Sequence, residues 1–357
     1  MAEMMKAVTI VDVGKAELRE YPKPVPGKHE VLVHMKACAL CTVDQRAFLG
    51  VTKNHLPSVQ GHEGSGIVEA VGEDVHFIHV GDHVVLEREF CGVCHYCKEN
   101  INQCTGRAER RKEFEAAWKP GELAKPIGGF ESQMAQYLTI QENKLTVVDP
   151  AIPFEQAAVT EPVSCVIHGV NRSRLATGEV AVIIGAGIMG LLHAQIAKLK
   201  GATVIMSEPD AARREKALAA GADFVVDPTA EDLKTFVEAH SYGRGGADVV
   251  FSTVPHSSLF EQGMGVLARA GRIVAYSSQH PDVPVSVSIG QIHSREIEII
   301  GTMGSNREET YLATQLIARG YINTDLVIDH VLPAERCQEA FEKATTPGTY
   351  RVVMQME

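Results

Sequence analysis

The sequence predicts an α/β protein of two domains, one built on antiparallel strands and one on a doubly wound parallel sheet. Two observations support this prediction. Residues up to about 150 contain short strand-like runs separated by Gly, Pro and Asp, whereas later apolar strands alternate with helical stretches of about ten to fifteen residues. That alternation is typical of βαβ units, whose strands are parallel. A chain of 357 residues is long enough for two such cores.

In the first half, the predicted strands are residues 31–37, 66–71 and 83–87, which are apolar throughout or alternate between apolar and polar. Five glycines fall in the same stretch: Gly61, Gly64, Gly66, Gly72 and Gly81. Clustered glycines favour tight turns between short strands. We therefore expect a compact antiparallel β-barrel here.

In the second half, strands are predicted at residues 180–185, 202–207, 223–227, 247–252 and 271–276. Helices are predicted at 189–200 and 210–220, between the first three strands. From residue 291 the pattern becomes mixed, with helices expected at 312–320 and 333–344. The parallel-sheet domain is therefore predicted to span 153–290.

Composition excludes several classes of protein. A net charge of −11 argues against nucleic acid or an anionic membrane surface as a partner, because both repel acidic proteins. No apolar run approaches the roughly 20 residues needed to cross a bilayer. The first residues lack the apolar core of a secretory signal, and the cysteine usage fits a reducing compartment. We expect a cytoplasmic enzyme.

Four of the eight cysteines fall within fourteen positions, as Cys91, Cys94, Cys97 and Cys104. Zinc takes four tetrahedral ligands, and two-residue gaps let successive thiolates of a tight loop converge on one ion. Four thiolates leave no vacancy for a substrate. The pattern therefore predicts a structural zinc site.

A glycine motif, Gly185-Ala-Gly187-Ile188-Met189-Gly190, follows an apolar strand and opens a helix. Its three glycines suit a tight turn, close approach of the backbone to a pyrophosphate, and packing of the helix on the strand. The free N–H groups at the start of that helix favour phosphate. The motif predicts dinucleotide binding by these residues.

Glu208 ends the next predicted strand, 18 residues beyond Gly190. A carboxylate there can accept hydrogen bonds from the adenosine ribose and would repel a 2′-phosphate, so NAD is preferred to NADP. Arg213 and Arg214 follow, and an arginine can accommodate that phosphate. Alternatively these arginines are surface charges paired with Glu215 or solvent. Arg213 is kept among the cofactor-binding candidates.

Two further motifs complete the pattern: Gly61-His62-Glu63 before a glycine-rich strand, and Glu161-Pro162-Val163-Ser164 near the change in pattern. Together with the four cysteines and the glycine motif, they resemble the zinc-containing medium-chain alcohol dehydrogenase family. Glu-Pro-x-Ser resembles its polyol branch, which includes sorbitol, other sugar-alcohol and threonine dehydrogenases.

The resemblance implies a GroES-like barrel domain, formed by residues 1–152 and 291–357, and a Rossmann domain. It implies that Cys41 and His62 hold a catalytic zinc, with Glu63 and Glu161 as the carboxylates beside it. One of these ligates the metal and the other binds directly or through water. The expected activity is hydride transfer between NAD and a small polyol, sugar alcohol or sugar acid. Two zinc ions per chain and a homodimer or homotetramer are also expected.

The chain departs from the family after Cys41. Where the family keeps a hydroxyl and a histidine that relay the proton, this sequence has Val43 and Arg46. The proton must leave through Glu63 or Glu161 and water, or through the cofactor ribose. We hypothesise that Arg46 contacts a substrate with a carboxylate, a phosphate or several hydroxyls. Pairing of Arg46 with a neighbouring acid is the alternative.

Other interpretations stay open at this stage. A threonine-type dehydrogenase is the first alternative, and a non-catalytic NAD-binding member of the family is the second. Residues 105–126 look like an insertion, charged and helical at the centre, with the single tryptophan Trp118. This segment is predicted to be a solvated surface helix, or else part of a subunit interface or cleft rim.

Overall fold

The computed structural model describes residues 3–52, 55–88 and 90–357. Contacts divide the chain into two compact units. The first comprises Met1–Ser164, Ser305–Gly320 and Ile328–Glu357, and the second comprises Cys165–Gly304 and Tyr321–Val327. The functional domain ranges given above, 1–152 with 291–357 and 153–290, stay predictions.

The described residues form sixteen strands and twelve α-helices. The strands are β1 (Met4–Asp12), β2 (Lys15–Pro22), β3 (Glu30–Ala39), β4 (Ser58–Val59), β5 (Glu63–Val71), β6 (His83–Leu86), β7 (Tyr137–Gln141), β8 (Leu145–Val147), β9 (Val180–Ile184), β10 (Thr203–Ser207), β11 (Phe224–Val226), β12 (Ala247–Ser252), β13 (Leu267–Ala275), β14 (Glu298–Gly301), β15 (Ile328–Pro333) and β16 (Arg351–Gln355). The helices are α1 (Thr42–Phe48), α2 (His95–Lys98), α3 (Thr105–Ala117), α4 (Phe154–Ala157), α5 (Thr160–Ser173), α6 (Ile188–Leu199), α7 (Ala211–Ala219), α8 (Leu233–Ala239), α9 (Ser257–Gly265), α10 (Ile289–Arg295), α11 (Arg307–Ala318) and α12 (Cys337–Thr345).

The first unit contains two sheets. One is antiparallel, with strand order β2–β1–β4, and the other has order β15–β16–β3–β5–β6–β8, with β7 also paired to β3. In the larger sheet only β15 and β16 run parallel among the described strand pairs, so this sheet is mixed rather than wholly antiparallel. The long pairing of β3 with β5 places Ala39 opposite Glu63. It therefore brings the loop after β3 next to the start of β5.

The second unit is built on a parallel sheet of six strands in the order β11–β10–β9–β12–β13–β14. This is the doubly wound order, in which the chain starts in the middle of the sheet and winds outward in both directions. The strand residues Val182, Ile205 and Val250 are fully buried, as expected for strands covered on both faces. The predicted fold class, an antiparallel-rich domain with a parallel Rossmann sheet, is confirmed.

Helix boundaries differ most from the predictions at the C-terminal end. The helix predicted at 312–320 begins at Arg307, because Asn306 caps it and exchanges hydrogen bonds with Glu309 in a capping box. The helix predicted at 333–344 begins as a 3-10 turn, Ala334–Arg336, before α12. Asn306 and Glu309 are visible in the sequence as a capping pair, but they precede the apolar repeat from which the helix was predicted.

The predicted insertion contains α3, which occupies its first half rather than its centre. None of its described side chains is buried in the single chain. A solvated surface helix and a part of a subunit interface or cleft rim would both show such exposure, so both stay predictions. The Trp118 ring stacks on His55 with centroids 3.9 Å apart, and its indole N–H donates to the Glu122 carbonyl. Across the described residues, none of the helices is both long and apolar enough to cross a membrane.

Candidate metal centres and cofactor site

The cysteine lobe, residues 91–104, follows β6 and brings four thiols together. The sulfur atoms of Cys91, Cys94, Cys97 and Cys104 all lie within 4.8 Å of one another. Backbone N–H groups point at the sulfurs, since Cys94 donates to Cys91 Sγ at 3.3 Å and Cys91 to Cys104 Sγ at 3.2 Å. Such N–H···S contacts orient the ligands of a zinc–thiolate site.

Backbone contacts favour the thiolate form at two of the four cysteines, whereas burial raises the pKa of Cys97 to about 12. Hydrogen bonds from the backbone at Cys97 and Thr105 lower the pKa of Cys94 to about 5, and backbone contacts also lower the pKa of Cys91. A thiolate is the form that binds metal. The donor set therefore fits a four-cysteine zinc site.

A second group of donors joins Cys41, His62 and Glu63, whose ligand atoms also lie within 4.8 Å of one another. Cys41 caps the N-terminus of α1, just after β3, and Glu63 begins β5. The intervening Gly61 adopts φ +101°, and a Cβ there would lie 2.8 Å from both Cys38 Sγ and Met134 Cγ. Only glycine fits this turn, and the turn places His62 next to the thiol of Cys41.

Asp44 orients this group. Its fully buried carboxylate accepts from the Cys41 N–H at 2.9 Å and from the Gly61 N–H at 3.2 Å. One of its oxygens lies 3.9 Å from His62 Nδ1. Burial alone would lower the pKa of His62, but Cys41 and Asp44 raise it well above its ordinary value. A metal bound by this imidazole would have to displace a proton.

Glu63 is held by a buried arginine. Arg351 Nε donates to one carboxylate oxygen at 2.8 Å and Arg351 Nη2 to the other at 2.5 Å. The two side chains are 0 % and 4 % exposed, so both charges are withdrawn from water as a pair. This bidentate contact uses both oxygens of the predicted metal-side carboxylate.

Glu161 lies in the first turn of α5 and is not in the group formed by Cys41, His62 and Glu63. It lines a pocket together with His62, Thr160 and Arg88, all within the first unit. The sequence motif therefore places this carboxylate on the wall of a pocket that reaches His62.

Arg46, the predicted substrate contact, lies half-buried on α1. It does not line the pocket that His62 and Glu161 share, nor the larger pocket beside the cysteine lobe. Val43 on the same helix is 50 % exposed. The role proposed for Arg46 stays a prediction.

The glycine motif forms the turn between β9 and α6. Gly185 adopts φ +96°, and a Cβ on Gly190 would lie 2.0 Å from the Gly185 carbonyl oxygen, so the helix packs against the turn only with glycine there. Gly187 caps α6, whose first residues are Ile188 and Met189. This strand–turn–helix context is the one that a dinucleotide site requires.

Glu208 is tied to the same turn. Its buried carboxylate accepts from the Ala186 N–H at 2.8 Å and from the Asp210 N–H at 3.0 Å. A fixed carboxylate at the end of β10 can also accept from a ribose hydroxyl, because each oxygen has two lone pairs.

The two nearby arginines differ in their surroundings. Arg214 Nη1 donates to the carbonyls of Glu208 and Pro209 and lies 3.1 Å from an Asp227 oxygen. Its partner is therefore Asp227, not Glu215. The Arg213 N–H donates to the Asp210 side chain, which caps α7, and the Arg213 side chain is half-buried.

Two residues that support the Cys41 group are not identified from the sequence. Asp44 lies three residues after Cys41, and this spacing from the helix cap was the available signal. Arg351 carried no such signal, because 288 residues separate it from Glu63.

Comparison with known sequence families gives two matches. Residues 27–150 match the family described as alcohol dehydrogenase GroES-like domain, and residues 189–319 match the family described as zinc-binding dehydrogenase. The first match contains the cysteine lobe and the Cys41 group, and the second begins inside the glycine motif.

Individual relatives align over nearly the whole chain. D-arabitol-phosphate dehydrogenase of Enterococcus avium is 31% identical over 99% of this chain and 98% of its own length. L-threonine 3-dehydrogenase of Pyrococcus horikoshii is 30% identical over 100% of both chains. A Sinorhizobium meliloti structure, described as a zinc-binding dehydrogenase bound to NADP, superposes with a TM-score of 0.85 at 27% identity, covering 99% of both chains.

Proposed function

Because the chain belongs to the zinc-binding dehydrogenase family, we propose that it transfers a hydride between NAD and a secondary alcohol of a polyol, sugar alcohol or sugar acid. The observation that carries this proposal is the group of half-buried Cys41 and His62 with buried Glu63, beside a pocket that His62 shares with Glu161. The E. avium relative, named for arabitol phosphate, supports a polyol-derived substrate.

The donors of this group fit a catalytic zinc. Such sites use three protein ligands drawn from thiolate, imidazole and carboxylate and leave one position open. Because Arg351 already binds both oxygens of Glu63, we assign the third place to Glu161, after Cys41 and His62. When bound, zinc supplies Lewis-acid polarisation of a hydroxyl or carbonyl oxygen.

The remaining task of the chain is to move the hydroxyl proton. Val43 carries no hydroxyl and its side chain is half exposed. Glu161 lines the pocket that reaches His62, whereas the charge of Glu63 is balanced by Arg351. We therefore propose that the proton leaves toward Glu161 and water.

For the cofactor, we propose NAD rather than NADP. The fixed carboxylate of Glu208 would repel a 2′-phosphate, and Arg214 is engaged by Asp227. The NADP in the S. meliloti structure belongs to that protein. Glu208→Gln should narrow the preference for NAD over NADP by about tenfold or more, because a repulsive charge is removed. An unchanged ratio of kcat/KM for the two cofactors would contradict this assignment.

The activity itself is tested with zinc-loaded protein, NAD and a panel of polyols, sugar acids and L-threonine. We expect turnover of a polyol or sugar acid. Glu161→Gln should lower kcat by about a hundredfold or more, because it removes both a proposed zinc ligand and the carboxylate toward which the proton leaves. Absence of turnover on the whole panel, with two zinc ions bound, would overturn the proposal.

L-Threonine is the second candidate substrate, favoured by the P. horikoshii relative. The same panel separates the two candidates, because threonine carries both an ammonium and a carboxylate whereas a polyol carries neither. Preference for threonine over every polyol and sugar acid would replace the first proposal.

We also propose that the protein works in a reducing compartment such as the cytoplasm, and as a homodimer or homotetramer. All eight cysteines are free thiols in the structure, which supports a reducing environment. Light scattering on purified protein would measure the oligomeric state.

A further inference from the structure

The pocket that His62 shares with Glu161 has the size of a single water molecule. The centre of a water has about 10 Å³ in which to move there, which is about what one buried water needs. A polyol is far too large for this space. All of the polar residues that line the pocket belong to the first unit: His62, Arg88, Thr160, Glu161, Ser305 and Thr310.

A buried hydroxyl in the wall of this pocket points to a ligand. Thr160, the first residue of α5, is 2 % exposed, and its Oγ1 has no hydrogen-bond partner among the described residues. A buried hydroxyl without a partner costs free energy, so native proteins satisfy such groups with water or a ligand. In a pocket of this size, that partner is one water molecule.

Two further hydroxyls of the pocket keep hydrogen-bonding capacity. Ser305 Oγ accepts from the Ser164 hydroxyl at 2.8 Å, and a hydroxyl that accepts can still donate its own proton. Thr310 Oγ1 donates to the Asn306 carbonyl at 3.1 Å, and its lone pairs can still accept. Ser305 and Thr310 are both buried. Together with Thr160 they offer the two to four polar partners that a buried water uses.

We infer that this pocket binds one water molecule, held by Thr160, Ser305 and Thr310, and that the water donates a hydrogen bond to the Glu161 carboxylate and fixes it beside His62. Thr160 is then a positioning residue, which acts on the reaction through the water and Glu161. The role of Glu161 rests on the proposed function, whereas binding of the water does not depend on it.

The water would give Glu161 the kind of support that the Cys41 group already has. Asp44 accepts from the N–H of Cys41, and Arg351 holds the carboxylate of Glu63. Outer partners of this kind orient metal ligands and typically contribute 10- to 100-fold in metal affinity or activity.

The backbone of Glu161 is tied to the same pocket. Ser164 Oγ donates to the Glu161 carbonyl at 2.7 Å and reaches Ser305 as well. The first turn of α5 and the Ser305 hydroxyl are therefore held together, and the water site lies where Thr160 of that turn and Ser305 both line the pocket.

The first test is a crystal structure of the zinc-loaded protein, at a resolution that shows its other buried waters. We expect one water within about 3 Å of Thr160 Oγ1 and of a Glu161 oxygen. It should be kept in Thr160→Ser and lost in Thr160→Val, which has nearly the same shape. No density in the wild type, density kept in Thr160→Val, or a peak in this pocket with anomalous signal at the zinc edge would overturn the inference.

The second test uses the sign of a change in stability. If the water is bound, Thr160→Val removes one of its partners, and Tm should fall by about 1–3 °C. Without a bound water, the same substitution would remove an unsatisfied buried hydroxyl and raise Tm. Thr160→Ser should lie closer to the wild type than Thr160→Val. An equal or higher Tm for Thr160→Val would contradict the bound water.

The third test concerns the positioning role. Thr160→Val should lower kcat, or the zinc affinity of the Cys41 group, by about 10- to 100-fold, with KM within about threefold. Thr160→Ser should restore both. Thr314→Val is the matched control, because Thr314 is a buried threonine of α11 that does not line the pocket. An unchanged kcat and zinc affinity in Thr160→Val, or equal weakening of the lobe zinc, would refute the positioning role.

These measurements separate failure of this inference from failure of the proposed function. If no substrate of any class is oxidised, the proposed function fails, and the crystal structure and the Tm comparison still decide whether the water is bound. If a substrate is oxidised but the pocket holds no water, this inference alone fails. Should Thr160→Val not fold, the density in the wild type and in Thr160→Ser decides.

Discussion

The cysteine lobe and the Cys41 group are both sets of metal-ligand side chains in one unit, but their surroundings differ. The lobe offers four thiols of one kind, all half-buried, with backbone N–H groups as neighbours. The Cys41 group offers a thiol, an imidazole and a carboxylate. Around these it adds a buried aspartate, a buried arginine and a pocket.

This difference indicates what each site is built to do. Four equal donors close the coordination sphere of zinc and need only backbone contacts to orient them. A mixed set with an open position needs charged partners that fix each ligand and balance its charge. Asp44 and Arg351 provide this support in the second site. We therefore expect the lobe to govern stability and the Cys41 group to govern activity.

The largest expected effect is the loss of activity when a ligand of the Cys41 group is removed. Cys41→Ser removes a thiolate ligand, and we expect kcat to fall by about a thousandfold or more, because several kcal/mol of metal polarisation are lost. Zinc should fall from two ions to one per chain, by elemental analysis, with the lobe still loaded. Cys165→Ser is the control and should keep both zinc and activity. A Cys41→Ser protein with two zinc ions and full turnover would contradict the proposal that the Cys41 group holds a catalytic zinc.

The lobe should show the opposite behaviour. Cys97→Ser removes one of four thiolates, and metal binding at a structural site contributes to folding. We expect the loss of one zinc and a fall in Tm of roughly 4 °C, corresponding to about 3 kcal/mol in a chain of this size. Turnover per folded molecule, measured below the new Tm, should stay within about threefold. Loss of turnover at an unchanged Tm would contradict this expectation, because it would place the chemistry at the lobe and not at the Cys41 group.

Glu63→Gln sharpens the comparison within the Cys41 group. Removing one charge of a buried pair leaves Arg351 uncompensated, and such changes cost about 3–5 kcal/mol. Urea unfolding should therefore show a large loss of stability. The double variant Glu63→Gln/Arg351→Met should recover much of it, because no lone charge stays buried. If the single variant is as stable as the wild type but loses zinc, Glu63 is a ligand rather than a partner of Arg351.

Asp44→Asn tests the orienting carboxylate with little change in shape. Outer partners of metal ligands typically contribute 10- to 100-fold in metal affinity or activity, so we expect a loss of about that size in kcat or in zinc affinity. Chelator competition measures the affinity, and the lobe zinc in the same sample serves as an internal reference. Equal weakening of both zinc ions would point to a general effect on folding.

The smallest expected effect concerns the ion pairs that Glu131 forms with Arg107 and Lys125. Burial would raise the pKa of Glu131, but Lys125 and Arg107, at 2.9 and 2.8 Å, lower it to about 2 from an ordinary 4.5. Because the folded pKa is lower than the unfolded one, this contribution to stability is present above pH 4.5 and is lost as the pH falls toward 2.

The carboxylate of Glu131 is 41 % exposed, so solvent screening reduces the effect to about 1 kcal/mol. Glu131→Gln should lower the urea-unfolding free energy by that amount at pH 7 and by less than about half of it at pH 3, because the contribution disappears only as the pH falls through 2. A variant that differs from the wild type equally at both pH values would contradict the ion-pair explanation.

The same contrast explains how much the sequence could predict. The lobe and the glycine motif are local, so their residue spacing alone predicts their geometry. Both the family and the fold class expected from them are confirmed. The Cys41 group depends on the register of β3 against β5, and the resemblance supplied its residues where spacing alone could not.

The support around that group could not be predicted. Arg351 reaches Glu63 only because β16 pairs with β3, a contact between distant parts of the chain. Likewise, nothing in the local sequence distinguishes Arg88, which lines the pocket, from Arg46, which does not. Side-chain direction in a folded pocket depends on packing, and a charged residue type does not reveal it.

One chain is proposed to hold a structural and a catalytic zinc of different design. An anomalous difference map recorded at the zinc edge, from crystals of the zinc-loaded protein, tests this proposal most directly. We predict two peaks per chain, one among Cys91, Cys94, Cys97 and Cys104, and one bound by Cys41, His62 and Glu161. A single peak confined to the lobe, or a second peak away from Cys41 and His62, would contradict it.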